Sequence, residues 1–114
     1  MRPESLEAAY AYLVTTLPFR RWKLPPAEEV GFRVTRSRTH YGQCLTERTD
    51  NGFQHTVEVS SVKNKSEGDL FQTMAHEMIH VYLDRRRVRA HHGPEFKRCA
   101  AIVCRRHGYK VETF

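Results

Sequence analysis

Nowhere in this sequence do apolar residues run on for the roughly 20 positions that a membrane-spanning helix needs. The opening residues, MRPESLEAAY, are polar and acidic where a secretory leader would be basic and then apolar. The expected setting is therefore intracellular, in cytoplasm, nucleoid or nucleus, with no membrane partner. Cysteine is scarce: Cys44, Cys99 and Cys104 form an odd set without a C-x-x-C pair. That excludes a disulfide framework and a metal site of the paired-cysteine kind, and leaves the three as small core residues. Tryptophan occurs once, at Trp22, and is expected to anchor the core. Acidic residues are sparse in the last third. Residues 1–80 hold ten Lys/Arg and ten Asp/Glu, whereas residues 81–114 hold nine Lys/Arg against Asp84, Glu95 and Glu112. The net charge of +6 thus arises after the midpoint, and a one-sided basic surface suits a polyanion or, equally, a solvated face.

The chain has 114 residues, enough for one domain, taken as residues 1–114, and one core. Residues 4–17 carry Leu6, Tyr10, Leu13 and Leu17 at helical spacing, and Pro18 and Pro25-Pro26 end that helix in a connector. Three strand-like stretches follow: VGFRVTRSR, YGQCLTER and FQHTVEVSS. TDNG supplies a hairpin turn between the second and third. Ser66, with Asp69 three residues on, predicts a helix start, and Phe71, Met74, Met78 and Tyr82 carry that helix to about Asp84. Gly93-Pro94 opens a last helix and Gly108 closes it. The order α-β-β-β-α-α predicts a small α+β domain with a three-stranded, mainly antiparallel sheet.

Within the second helix stands His76-Glu77-Met78-Ile79-His80. Histidines four apart lie one turn apart on one helix face, which lets two imidazole nitrogens bind a single zinc ion. Glu77 then sits beside the metal without binding it, placed to take a proton from a zinc-activated water and pass it to a leaving amine. A catalytic zinc needs a third protein ligand; His91, His92, Glu95 and His107 are the downstream candidates. The metzincin extension fails, because its glycine and histidine offsets fall on Leu83 and Arg86.

HExxH followed by His92-Gly93-Pro94-Glu95-Phe96 resembles the SprT-like, or Spartan, metalloproteases, as do Gly42-Gln43-Cys44 and the strand before the zinc helix. The resemblance covers roughly residues 5–110. It implies a zincin-type fold, a zinc endopeptidase with Zn2+ held by His76, His80 and His92, and Glu77 as the catalytic base. It also implies action on DNA-bound or DNA-crosslinked proteins, with single-stranded or junction DNA as a second partner. Arg85, Arg86, Arg87 and Arg89 directly follow the zinc helix and are the expected phosphate contacts. A monomer is expected. Two other readings stand beside this one: a protease cutting a specific partner such as a repressor, and a zinc-stabilised DNA-binding module without turnover. Glu77 speaks against the last, since it adds nothing to zinc binding. The strand bearing Val57 and Val59 is expected to form an open edge that receives an extended substrate. Tyr41, His91 and Tyr82 are the candidates for stabilising the oxyanion.

Overall fold

The computed structural model describes all 114 residues. Helix α1 spans Pro3–Leu13 and buries Leu6, Ala9, Tyr10 and Leu13. It stops four residues short of the expected end. Thr15 and Thr16 turn their hydroxyls back onto the carbonyls of Tyr12 and Leu13, at 2.6 Å each. This is how Thr side chains compete with a continuing helix ladder. Leu17 is half-buried past the helix end, and Phe19 takes the fully buried position.

Strand β1 runs Val30–Thr35, β2 Gly42–Thr49 and β3 Gly52–Ser60. Thr49 pairs with Gly52 across Asp50-Asn51, closing the hairpin where TDNG predicts it. Gly52 takes φ +116°, a conformation that side chains disfavour. The strand order is β1-β3-β2. The eight-pair β2–β3 ladder is antiparallel, as expected, but the six pairs of β1 with β3 are parallel, so the sheet is mixed. Residues 36–41 carry the chain across the end of the sheet, and β3 inserts between its two predecessors.

That insertion corrects one expectation. Val57 and Val59 belong to the central strand, paired on both sides and fully buried. The open edges are β1 and β2. Side chains of β3 alternate, so His55, Val57 and Val59 face the helices while Thr56 and Glu58 face outward, where Arg33 pairs with Glu58 at 3.0 Å.

Helix α2 spans Glu67–Arg85. The Ser66 hydroxyl accepts the Asp69 N–H at 3.1 Å, the predicted cap. The helix lies on the sheet beside α1, burying Leu70, Met74, Met78 and Ile79. Helix α3, Pro94–His107, packs on α2. It ends at Gly108 in the left-handed conformation, φ 81°, with the glycine N–H on Cys104 O at 2.8 Å. Trp22 stacks on Tyr82 at 4.3 Å and edges onto Phe19, tying the connector to α2. Cys104 is buried and Cys44 and Cys99 half-buried, all three free. No helix is long and apolar enough to cross a membrane.

Candidate metal centre

Helix α2 is apolar where it meets the sheet, and its next face carries His76 and His80 against Phe96 of α3, with Glu77 turned toward Gly42 at the start of β2. Glu77 is only 4% exposed and His80 only 6%. The chain then leaves α2, turns through Arg86–His92 and re-enters at α3. Gly93 makes that re-entry possible: a Cβ there would stand 2.8 Å from Ala90 Cβ. The turn carries His92 back over α2. Its Nε2 lies 3.3 Å from His80 Nε2 and 3.3 Å from His76 Nε2.

Three imidazole nitrogens therefore converge, every pair within 4.8 Å. A tetrahedral zinc with bonds of about 2.0–2.1 Å holds its ligand atoms about 3.3–3.4 Å apart, the tetrahedron's edge, so the spacing fits the ion. Protonation is suitable too. Burial pushes His76 down to about 4 and His80 down to about 3, so both rings are neutral near pH 7, the form that binds metal. His76 Nδ1 is spoken for by the main-chain oxygen of Phe114 at 2.8 Å. That bond requires the proton on Nδ1 and leaves the Nε2 lone pair facing its neighbours. Three protein nitrogens would leave one of the four positions of a tetrahedral ion open.

Of the candidate third ligands only His92 joins the cluster. His91 sets its ring against His80 at 5.3 Å, tilted by 46°, but does not join the convergence. Glu95 turns to Arg98 at 3.7 Å. His107 sits at the far end of α3, bonded to Leu17 O at 3.0 Å. Sequence reasoning assigned no role to Phe96, yet its ring packs against all three imidazoles at 4.7–4.9 Å. The signal was its place in the first turn of α3, one turn from His92.

Glu77 stands beside the cluster. Burial, and then the nearby Asp84, push its carboxyl up to about 8. A positive ion in the cluster opposes both effects and favours the carboxylate. Glu77 and His76 line a cavity of 480 Å³ with Tyr41, Gly42, Thr73 and Phe114. Tyr41 is thus the oxyanion candidate that shares a cavity with Glu77; it is 56% exposed, under the Lys63 ammonium at 4.5 Å. Tyr82 is held between Trp22 and the Arg86 guanidinium, 5.4 Å from its ring, as part of the fold.

Two more residues brace the site from below. Thr46 Oγ1 donates to Asp84 Oδ2 at 2.8 Å, one helical turn beyond His80. The hydroxyl's single proton is then used, so His55 Nδ1, also 2.8 Å away, donates to Thr46. His55 Nε2 is left buried without a partner. Cys44, burial-raised to about 12, is no nucleophile beside them. Arg85, Arg86, Arg87 and Arg89 are all exposed. Arg87 and Arg89 line a groove that runs past Asp84 along β2, with Arg48 on its other side.

No curated protein matches the chain. The model of the SprT-like family matches residues 11–113, from the last turns of α1 to the turn after α3. Both helices that build the histidine cluster, and the strand edge beside it, lie inside that match, and the chain belongs to the SprT-like family.

Proposed function

We propose that this protein is a zinc-dependent endopeptidase that acts on proteins bound or crosslinked to DNA. The observation that carries the chemistry is the 3.3 Å spacing of His76, His80 and His92 nitrogens with Glu77 buried next to them. When bound, zinc supplies a Lewis acid that polarises the scissile carbonyl and acidifies the attacking water. Glu77 takes the proton from that water and hands it to the departing amine. Tyr41 is the side chain placed to steady the oxygen that gains charge.

The open edge of β2 holds the substrate. Ser60 N–H bonds to Tyr41 O at 2.9 Å, which fixes the alternation of the ladder. Gln43 and Leu45 bond inward to β3, so the N–H and C=O groups of Gly42, Cys44 and Thr46 point away from it. An extended peptide adds there as a further strand, beside Glu77. The DNA part of the proposal rests on Arg87 and Arg89, which follow α2 and line the groove along β2, with Arg85 at the end of α2 and Arg86 exposed beside them. Phosphate contacts by several of them give binding that weakens steeply with salt.

The test is cleavage of casein and of the protein itself, with and without single-stranded DNA, for the zinc-loaded protein and Glu77→Gln. DNA-stimulated cutting that Glu77→Gln abolishes is expected. Cutting indifferent to DNA would remove the DNA component and leave a peptidase with a specific protein target. No cutting by either protein, with DNA bound by both, would leave a zinc-stabilised binding module.

A further inference from the structure

The chain does not leave the site when α3 ends. Gly108 reverses it, and Tyr109 N–H returns to Cys104 O at 3.1 Å. A single 3-10 turn over Val111–Thr113 then lays the last residues along the N-terminal half of α2. Two side chains of α2, four residues apart on one face, take hold of successive main-chain oxygens. Gln72 Nε2 donates to Thr113 O at 3.2 Å, and His76 Nδ1 donates to Phe114 O at 2.8 Å. The Phe114 ring lies between His76, at 5.3 Å, and Tyr109, at 5.8 Å.

We infer that the segment Tyr109–Phe114 is a positioning element of the metal site, with the main-chain oxygen of Phe114 setting the tautomer and tilt of His76. The inference rests on the reading of His76, His80 and His92 as metal ligands. Neither His80 nor His92 has a hydrogen bond at its Nδ1, so His76 is the ligand whose orientation is set from outside the cluster. A neutral imidazole free to choose its tautomer presents a proton to the metal part of the time. An acceptor oxygen on Nδ1 removes that state and raises the basicity of Nε2. The hold on the segment is mainly to its backbone. Gln72 and His76 bond main-chain oxygens, and the aromatic ring adds packing. Loss of such outer partners commonly weakens metal binding about 10–100-fold.

The experiment measures zinc affinity by competition with a colorimetric chelator at neutral pH. The full chain is compared with a deletion of Val111–Phe114, with Phe114→Ala, with Gln72→Ala and with His92→Ala. The deletion is expected to weaken zinc binding about 10–100-fold. Phe114→Ala keeps the main-chain oxygen and is expected to lose less than the deletion does. In a nitrogen-15 spectrum of the zinc-loaded full chain, His76 should show a slowly exchanging Nδ1 proton that the deletion removes. Zinc affinity of the deletion equal to that of the full chain, while His92→Ala binds poorly, would overturn the positioning role alone. Undiminished binding by His92→Ala would overturn the metal reading beneath it. If the deletion does not fold, Gln72→Ala decides. It frees the Thr113 carbonyl without shortening the chain, and an unchanged affinity with an unchanged His76 spectrum refutes the proposal.

Discussion

Placing one methyl group on Gly42 tests how closely the strand edge and the helix that carries Glu77 are fitted. A Cβ there would stand 2.8 Å from Thr73 Cγ2, 2.9 Å from the Glu58 carbonyl oxygen and 3.1 Å from Glu77 Oε2. The first two contacts are closer than Cβ atoms tolerate, and the carbonyl belongs to the neighbouring strand, so no rotamer change relieves it. Overpacking of this kind costs about 1–3 kcal/mol. For a domain of this size that is roughly 3–6 °C in Tm for each kcal/mol. The strand must also move away from α2 or push Glu77 aside. A misplacement approaching 1 Å costs about 100-fold in rate, so a shift of a few tenths predicts a loss of roughly tenfold for Gly42→Ala. The assays are thermal unfolding and casein cleavage. A partner variant separates the causes. Thr73→Ser keeps the 2.6 Å bond to Asn64 but removes the clashing methyl. In the double variant, stability should return in part while the contacts to Glu58 and Glu77 remain, a coupling that a double-mutant cycle reads directly. Wild-type stability and cleavage for Gly42→Ala would refute the idea that a bare backbone at this position seats Glu77.

Two further outcomes follow from buried polar groups. In metal-free protein the lowered values of His76 and His80 give stability that is full above 6.5 and lost as pH falls toward about 4 and 3. Glu77, raised from 4.5 to about 8, gives stability that is full below 4.5 and lost as pH rises through 8. Two histidines outweigh one glutamate between 4.5 and 6.5, and Glu77 acts without them above, so urea unfolding should show a maximum near pH 6.5. Glu77→Gln should flatten the alkaline side, and stability still climbing from pH 6.5 to 8 in the parent would contradict this assignment. Thr46→Val strips partners from both Asp84 and His55 and should destabilise by about 1–3 kcal/mol in chemical denaturation. A neutral result would show that the Asp84–Thr46–His55 chain carries no strain-bearing role.

Much of the site was legible because its signals are local. Ser66 announces α2, Gly93-Pro94 and Gly108 bracket α3, and the four-residue spacing of His76 and His80 needs only a helix to become a binding face. The third histidine was different. Position along the chain left His91, His92, Glu95 and His107 open, and the choice of His92 came from family resemblance; the geometry brings that one to the cluster. Strand order was not legible. A period-2 pattern tells which side chains share a face and says nothing about which strand lies alongside, so β3 was taken for an edge when it is the centre. His55 was readable in FQHTVEVSS, on the same face as Val57 and Val59, as a buried polar group in need of a partner. The hold on Thr113 and Phe114 could not be read at all, because its acceptors are main-chain oxygens that any residue provides.

The insertion of β3 between β1 and β2 also bears on how the protein assembles. β1 has no strand partner until β3 exists, and the two are separated in the chain by the whole of β2. The β2–β3 hairpin needs only a two-residue turn, so it closes early, in microseconds, while pairing with β1 waits on a longer loop. Helix α1 in turn finds α2 only after the sheet has been synthesised. The first 35 residues pack α1 on β1, with Tyr10 edging onto Phe32, but gain their strand pairing and their contact with the histidine-bearing helix only from β3 and α2. Amide hydrogens of Val57 and Val59, shielded on both sides, should be among the last in the molecule to exchange. Helix α2, which carries His76 and His80, packs against this doubly paired strand, so two of the three nitrogens stand on the part of the structure expected to open last, while His92 reaches them from the turn.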